Sequence, residues 1–538
     1  MKKIFTGMLA ICMLAVLLLG GCGTGQTEPT AAAPDSTAGA SENSSEVAGN
    51  NSFSEKITIT AAGPNFMDVD TQNNALWQAV TQKFNIDIKL VELSWDGWAE
   101  KVRTWMGSGD MPDVVQWDFN YVDYLNFAKS GLLKPVPSLD KFPNLKKLTD
   151  AMKIDDFLQI DGQLYAWPRR LIVNPYNNQD NNVYFYRKDW AAKAGVSDIT
   201  DKGLLTMDEF LTVAKAFRDK DPGQFGAKNI VLDSSLMIPG MTGINWYSPY
   251  YDTFKKVDGK YVWGASLPET VEGIKYMKML YDEGILYKDF YTSKGYDARG
   301  RFYSGLVGIY ADPPNLGHYY EYRNEFKKAN PDLDPNEAIG AFTVKNTNGK
   351  ITTKEQSEFW SASLYSAKMS DKALERLHYM MDWLAGDEGS KYCFYGVKGM
   401  DWDEKDGKVE LKWSKDSDGN MVAPDYGNGI WIRHFALAGG DQDWANMAIS
   451  DIDRNLFKKL ADFKAEKGEM VANNYPLEYL NTPLKSKFGS YSTGVDDEII
   501  KIVSSSKDVE EDWNAWIKSM QSKIAPILDE INGQLADK

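Results

Sequence analysis

The chain is poor in cysteine. Three stand among 538 residues, at positions 12, 22 and 393, which rules out a disulfide-stapled fold. Histidine is equally scarce: His318, His378 and His434 lie far apart, without the spacing that places two imidazoles on one metal ion. Basic charge is in deficit, with 60 Lys and Arg against 76 Asp and Glu and a net charge of −16. That balance argues against a nucleic-acid partner and against a polybasic membrane patch. No Gly-rich phosphate loop, nucleophile elbow or zinc signature occurs, so no catalytic residue, metal or cofactor is nominated. No internal repeat is visible. Aromatic residues, by contrast, are plentiful: 17 Trp and 28 Tyr. A large core absorbs many of these, and the surplus of Trp suggests flat apolar surfaces of the kind on which sugar rings stack.

The N-terminus has its own grammar. Met1-Lys2-Lys3 is a short positive start, an apolar run from Met8 to Leu19 follows, and the run ends in Leu19-Gly20-Gly21-Cys22. A spanning helix needs about 20 apolar residues, so this run is a secretory signal rather than an anchor helix. Two small residues before a cysteine resemble a bacterial lipobox, in which the cysteine thiol takes the lipid. Residues 23–54 are mostly Gly, Ser, Thr, Ala, Asn and Pro, with Phe53 the one aromatic. Such a stretch buries too little to fold and reads as a tether with a reach of about 30 Å. Removal of Lys2 and Lys3 with the signal takes the charge from −16 to −18. Cys12 leaves too and Cys22 is lipidated, so Cys393 is left as a lone buried thiol.

About 480 residues follow the tether, enough for two or three lobes. Ile57–Thr60, Ile86–Val91 and Pro112–Trp117 read as strands, with helices around Asn74–Phe84 and Trp98–Met106 between them. Strand–helix alternation at this spacing predicts a mainly parallel sheet. Thr206 and Glu209 form a capping box that opens a helix, with Leu205 and Phe210 as its staple and Phe210, Val213 and Phe217 on one face. Further helices fit 269–283, 372–384, 449–466 and 508–534, and 405–424 reads as hairpins around Asp406-Gly407 and Asp418-Gly419.

Seven segments in order carry a family resemblance: Ser108–Trp117, Ser130–Pro135, Asp161–Arg169, Tyr186–Trp190, Asp282–Leu286, Ser304–Tyr310, and Met381–Leu384 with Asp387-Glu388-Gly389. The chain resembles the extracellular solute-binding proteins of bacterial ABC importers, in particular the long lipoproteins that bind aldouronate and alginate oligosaccharides. The resemblance covers most of residues 56–535. It implies an α/β fold of two lobes joined by a hinge, with a ligand cleft between them that closes as a hinge motion. The implied layout is signal peptide 1–21, lipidated Cys22 and tether 22–55, one lobe from 56–136 with 342–430, and a second from 137–341 with 431–538. The chain would cross near Lys134–Ser138, return near Ala341–Lys345 and cross again near the hairpins. The implied role is a monomeric, lipid-anchored binder on the outer face of the cell membrane that hands an oligosaccharide to permease subunits. A lipid-anchored carbohydrate-active enzyme and a sugar-sensing receptor remain alternatives.

In open α/β sheets ligands lie beyond the carboxyl ends of strands. Trp117 ends a strand and matches a tryptophan that relatives place at the sugar cleft, and Asp118 beside it suits sugar hydroxyls. Trp167 and Arg169 follow the Leu164–Ala166 segment, and the planar fork of Arg169 suits an acidic sugar. Asn245-Trp246-Tyr247 corresponds to the aromatic segment that relatives place under the sugar rings. Asp312 falls where relatives have a cleft loop, and Trp431 with Arg433 lies in a Gly-rich segment. Some alginate-binding relatives hold calcium in a loop that here reads Asp221 to Ile230, where most of the required oxygens are missing. Asp416–Asn420 mimics the start of such a loop but lacks the closing Glu, so no metal is expected at either place.

Overall fold

A computed structural model describes residues 53–150, 152–153, 155–171, 183–234, 240, 242–293, 297–312, 316–355, 357–415, 421–439 and 449–535. Cys22, the signal and residues 23–52 of the tether lie outside the described residues. So do Asp416–Asn420.

Two sheets organise the fold. In the first, strands run in the order 437–439, 166–171, 359–365, 114–117, 57–62, 86–91. All are parallel except Phe359–Tyr365, which runs antiparallel to both neighbours. The second sheet has the order 204–205, 339–344, 183–187, 307–311, 230–234, and Val183–Arg187 is its one antiparallel strand. Each sheet is wrapped by its own helices, as strands buried on both faces require. Leu76, Val80, Phe142, Trp167 and Leu377 fill the core beside the first sheet. Trp190, Phe210, Phe217, Trp246 and Ile274 fill the second, and the C-terminal helices Val495–Ser505 and Val509–Leu535 seal it through Ile499, Trp513 and Ile527.

Local sequence explains the helix ends. Asn74 caps Ala75–Lys83 by accepting from the Trp77 N–H, and Thr206 accepts from the Glu209 N–H while Glu209 returns the bond to the Thr206 N–H. Asp221, in the calcium-like loop, is committed to its own backbone: one carboxylate oxygen accepts from the Phe225 N–H at 3.0 Å and the other from the Gly226 N–H at 2.7 Å.

Sheet membership moves the lobe boundaries expected from sequence. Residues 166–171 and 437–439 belong to the first sheet, so the chain leaves the first lobe after Leu171 rather than near Lys134–Ser138, and stays with it past residue 430. Ile339–Val344 belongs to the second sheet. Leu133 bridges Ser366 and the Val136 N–H bonds the Leu164 carbonyl, which ties both points of the chain to the first lobe. The folded part also begins earlier than expected. Phe53 packs against Phe84 and Tyr379, and the Arg376 guanidinium lies 4.1 Å from its ring centroid.

The links between sheets run from carboxyl edge to carboxyl edge. The first strand to leave ends at Leu171 and the antiparallel Val183–Arg187 strand starts the second sheet's share. The return runs from Val344 to Phe359, again the start of an antiparallel strand. On that return Ile351–Lys354 pairs with Gly468–Val471, forming a two-stranded hinge ribbon. The segment after the ribbon is rooted in the second lobe through Leu477 yet touches the first: Tyr479 packs edge-on against Tyr121 at 5.1 Å, and Gly489 accepts a hydrogen bond from Asn120.

Candidate functional site

The carboxyl edge of the first sheet carries three tryptophans that the sequence reading did not single out. Trp95 lies in the loop after Ile86–Val91 and is 40% exposed; Trp360 stands at the start of the antiparallel strand and is 38% exposed. Trp98 is wedged between them, 5.5 Å from Trp95 and 6.0 Å from Trp360, and its indole N–H is pinned to the Gln116 carbonyl at 2.7 Å. Trp95 and Trp360 also touch each other at 5.9 Å. Large apolar rings left open to water in one cluster mark a binding surface more than packing does.

A bulge aims Trp360 outward. Pairing between Phe359–Tyr365 and Ala166–Leu171 shifts between Phe359 and Ala362, and Ser361 takes a left-handed φ of 57°. A left-handed serine in a strand is uncommon and strained, and such outliers gather at functional sites. Asp118, just past the end of the strand Val114–Trp117 in the same sheet, is exposed to water, but partial burial desolvates its carboxyl and raises its pKa, with Arg103 pulling the other way. It is a carboxylate open to a ligand.

The other expected residues are placed differently. Trp117 is fully buried against Phe119 and Phe127, and Trp167 is fully buried with its N–H on the Ala436 carbonyl at 2.8 Å. Both stand at the right sheet edge but offer no face to a ligand, because helix Tyr121–Lys129 and residues 427–439 cover them. Arg169 is also fully buried, donating to Ser361 rather than presenting a free fork. Trp431 is half-buried, packed on His434 at 4.8 Å with Arg433 over its ring at 5.2 Å. Burial, with Arg169 and Arg433 nearby, pushes the His434 pKa well below its ordinary value.

On the second lobe, Asp312 does follow a strand end, but it is buried in an internal ion pair. Its carboxylate accepts from Arg299 at 3.0 Å and from the hydroxyls of Tyr310 and Tyr322. Asp233, next to last in the neighbouring strand Ile230–Ser234, is held in the same way by Arg301 at 2.8 Å. One helix, Asp297–Tyr303, supplies both arginines and so ties two strand ends together. Trp246 is core, packed on Phe210 at 5.1 Å and Tyr184 at 5.8 Å. Asn245 is buried, its carbonyl accepting from Thr352 in the hinge ribbon, while Tyr247 is half-buried against Tyr276. This segment supports the hinge rather than a ligand surface.

Among the described residues no cluster of three His, Cys, Asp or Glu side chains is arranged to hold a metal ion, and no helix is long and apolar enough to cross a membrane. Cys393 is buried, and burial pushes its thiol pKa up to about 12.

The chain thus builds two lobes, each on its own sheet, with an aromatic platform at the carboxyl edge of the first. Residues 69–391, more than half of the chain, match the family described as bacterial extracellular solute-binding protein, and the chain belongs to that family. It is similar to the polygalacturonan/rhamnogalacturonan-binding protein YtcQ of Bacillus subtilis (strain 168), with 25% identity over 58% of this chain and 60% of that protein. It is also similar to the fructooligosaccharide ABC transporter substrate-binding protein FusA of Streptococcus pneumoniae serotype 4, with 25% identity over 46% of this chain and 49% of that protein. Lipoprotein LipO of Bacillus subtilis (strain 168) matches at 24% identity over 41% of this chain and 44% of its own length. The chain thus spans about half the length of the curated relatives it matches. In fold it resembles the crystal structure of the alginate-binding protein AlgQ2, with a TM-score of 0.68 at 16% identity over 90% of this chain and 99% of that one. The structure of FusA with kestose gives 0.63 at 18% identity over 88% and 97%.

Proposed function

We propose that this chain is the solute-binding component of an ABC importer that captures an oligosaccharide between its lobes and delivers it to a membrane permease. The observation that carries the reading is the platform of Trp95 and Trp360, backed by Trp98, with the exposed Asp118 following a strand of the same sheet. The C–H faces of a sugar ring stack on indole, and its hydroxyls donate to a carboxylate. The names of relatives support a saccharide chain of either charge: polygalacturonan for YtcQ and fructooligosaccharide for FusA. Anchoring through a lipid on Cys22 at the outer face of the membrane belongs to the same reading, supported by the Leu19-Gly20-Gly21-Cys22 sequence and the lipoprotein relative.

Calorimetric titration of residues 53–538 with a panel of acidic and neutral oligosaccharides tests the function. Binding of at least one, weakened about 30-fold in Trp360→Ala, is the expected result, since a central Trp contributes about 2 kcal/mol or more at a binding hot spot. Binding of peptides and of no saccharide would overturn it. For the anchor, Cys22→Ala is expected to release the protein from the membrane fraction.

A further inference from the structure

Arg169 is an unusual arginine. It is completely buried, and among the described residues no carboxylate lies within ion-pair distance of it. Burial lowers its pKa, to about 9. Two of its nitrogens, Nε at 2.7 Å and Nη2, donate to a single acceptor, the hydroxyl of Ser361. Among the described residues Nη1 has no hydrogen-bond partner. A buried cation kept without a counter-ion is costly, so the position has another use.

Its remaining partner is Trp360. The guanidinium carbon lies 4.8 Å from the centroid of that ring. Trp360 is half of the open platform, and Ser361, which holds Arg169, is the left-handed residue of the bulge that turns Trp360 out of the sheet. Arg169 therefore grips both the ring and the backbone distortion that aims it. Its fork does this in one piece, with the guanidinium carbon over the indole and two nitrogens on the hydroxyl.

We propose that Arg169 is a positioning residue that sets the attitude of Trp360 and so governs ligand affinity through the indole rather than by touching the ligand. This rests on the oligosaccharide reading above, but one arm of its test needs no ligand. Arg169→Lys keeps the charge and loses the plane. Combined with Trp360→Ala it forms a double-mutant cycle on the chain from residue 53 onward. The probes are an oligogalacturonate and a neutral fructo-oligosaccharide of equal length. Arg169→Lys is expected to weaken whichever sugar binds about tenfold in the native background and less than twofold in the Trp360→Ala background. In ligand-free protein, its near-ultraviolet dichroism is expected to lose the bands that Trp360→Ala loses.

A loss undiminished in Trp360→Ala, or confined to the galacturonate, would overturn the proposal and make Arg169 a direct receptor for a sugar carboxylate. An unchanged dichroism spectrum would overturn it as well. If neither sugar binds, the oligosaccharide reading fails and the dichroism decides the positioning role alone. Ser361→Ala, which removes the hydroxyl and spares the arginine, replaces Arg169→Lys in every arm should the lysine variant not fold.

Discussion

Acid should destabilise the protein through one histidine. His378 lies on helix Asp371–Ala385, fully buried among the rings of Phe142, Trp167 and Tyr365 at 5.5, 6.5 and 5.3 Å. Its Nδ1 lies 2.9 Å from the Leu374 carbonyl, which can only accept, so Nδ1 carries the hydrogen of the neutral ring. Nε2 has no partner, and protonation would place a second N–H in an apolar pocket. Burial accordingly lowers its pKa from 6.5 to about 4. As pH falls through 6.5 the unfolded chain takes up a proton that the folded chain refuses until about pH 4. The unfolded state binds more protons in that window, so stability falls on acidification, by about 3 kcal/mol in all at 1.36 kcal/mol per pH unit. Urea denaturation of native protein and His378→Leu between pH 7.5 and 4 measures this. The native protein should lose about 2 kcal/mol more than the variant between pH 7 and pH 5. His434 and the carboxylates titrate in both and cancel in the difference. Parallel stability curves for the two proteins would refute the reasoning.

Three further outcomes follow from the same structure. Lys485 is buried between Tyr121 and Tyr491, which lowers its pKa from 10.5 to about 8; the unfolded state holds the proton longer, so stability should rise from pH 8 towards 10 by up to about 3 kcal/mol, and Lys485→Met should abolish that rise in pH-resolved denaturation. Asp312→Asn removes the buried charge opposite Arg299 and should cost about 3 kcal/mol, read as a lower midpoint in chemical denaturation; an unchanged midpoint would show that Glu321, 3.8 Å away, compensates. Tyr479→Ala removes the ring contacts with Tyr121 and Phe157, about 1 kcal/mol each, and should widen the ligand-free protein in small-angle scattering; an identical radius of gyration would exclude this segment as a clasp between the lobes.

Strong periodicity and chain punctuation were legible in the sequence. Helices expected at 269–283, 372–384 and 508–534 are found at Pro268–Asp282, Asp371–Ala385 and Val509–Leu535, because their apolar faces are written locally. The rule that ligands lie beyond strand ends pointed to Trp117, and the same rule applied to Ile86–Val91 leads to Trp95 and Trp98. Trp360 had no such signal. Its exposure depends on a bulge created when Ser361 turns left-handed against a strand almost two hundred residues earlier, and register is a property of pairing, not of either strand alone.

Sequence by itself therefore determined the strongly periodic helices, the strand–helix alternation that opens the first sheet, and the family. Tertiary structure decided which polar and aromatic residues reach solvent. Trp117, Trp167, Asp312 and Trp246 have the chemistry of a sugar site but are covered by neighbouring elements, and Arg169, expected to offer its fork to an acidic sugar, is buried against Trp360 instead. Residue type states what a side chain could bond. Burial, set by packing across distant segments, decides whether a ligand or the protein itself takes the bond.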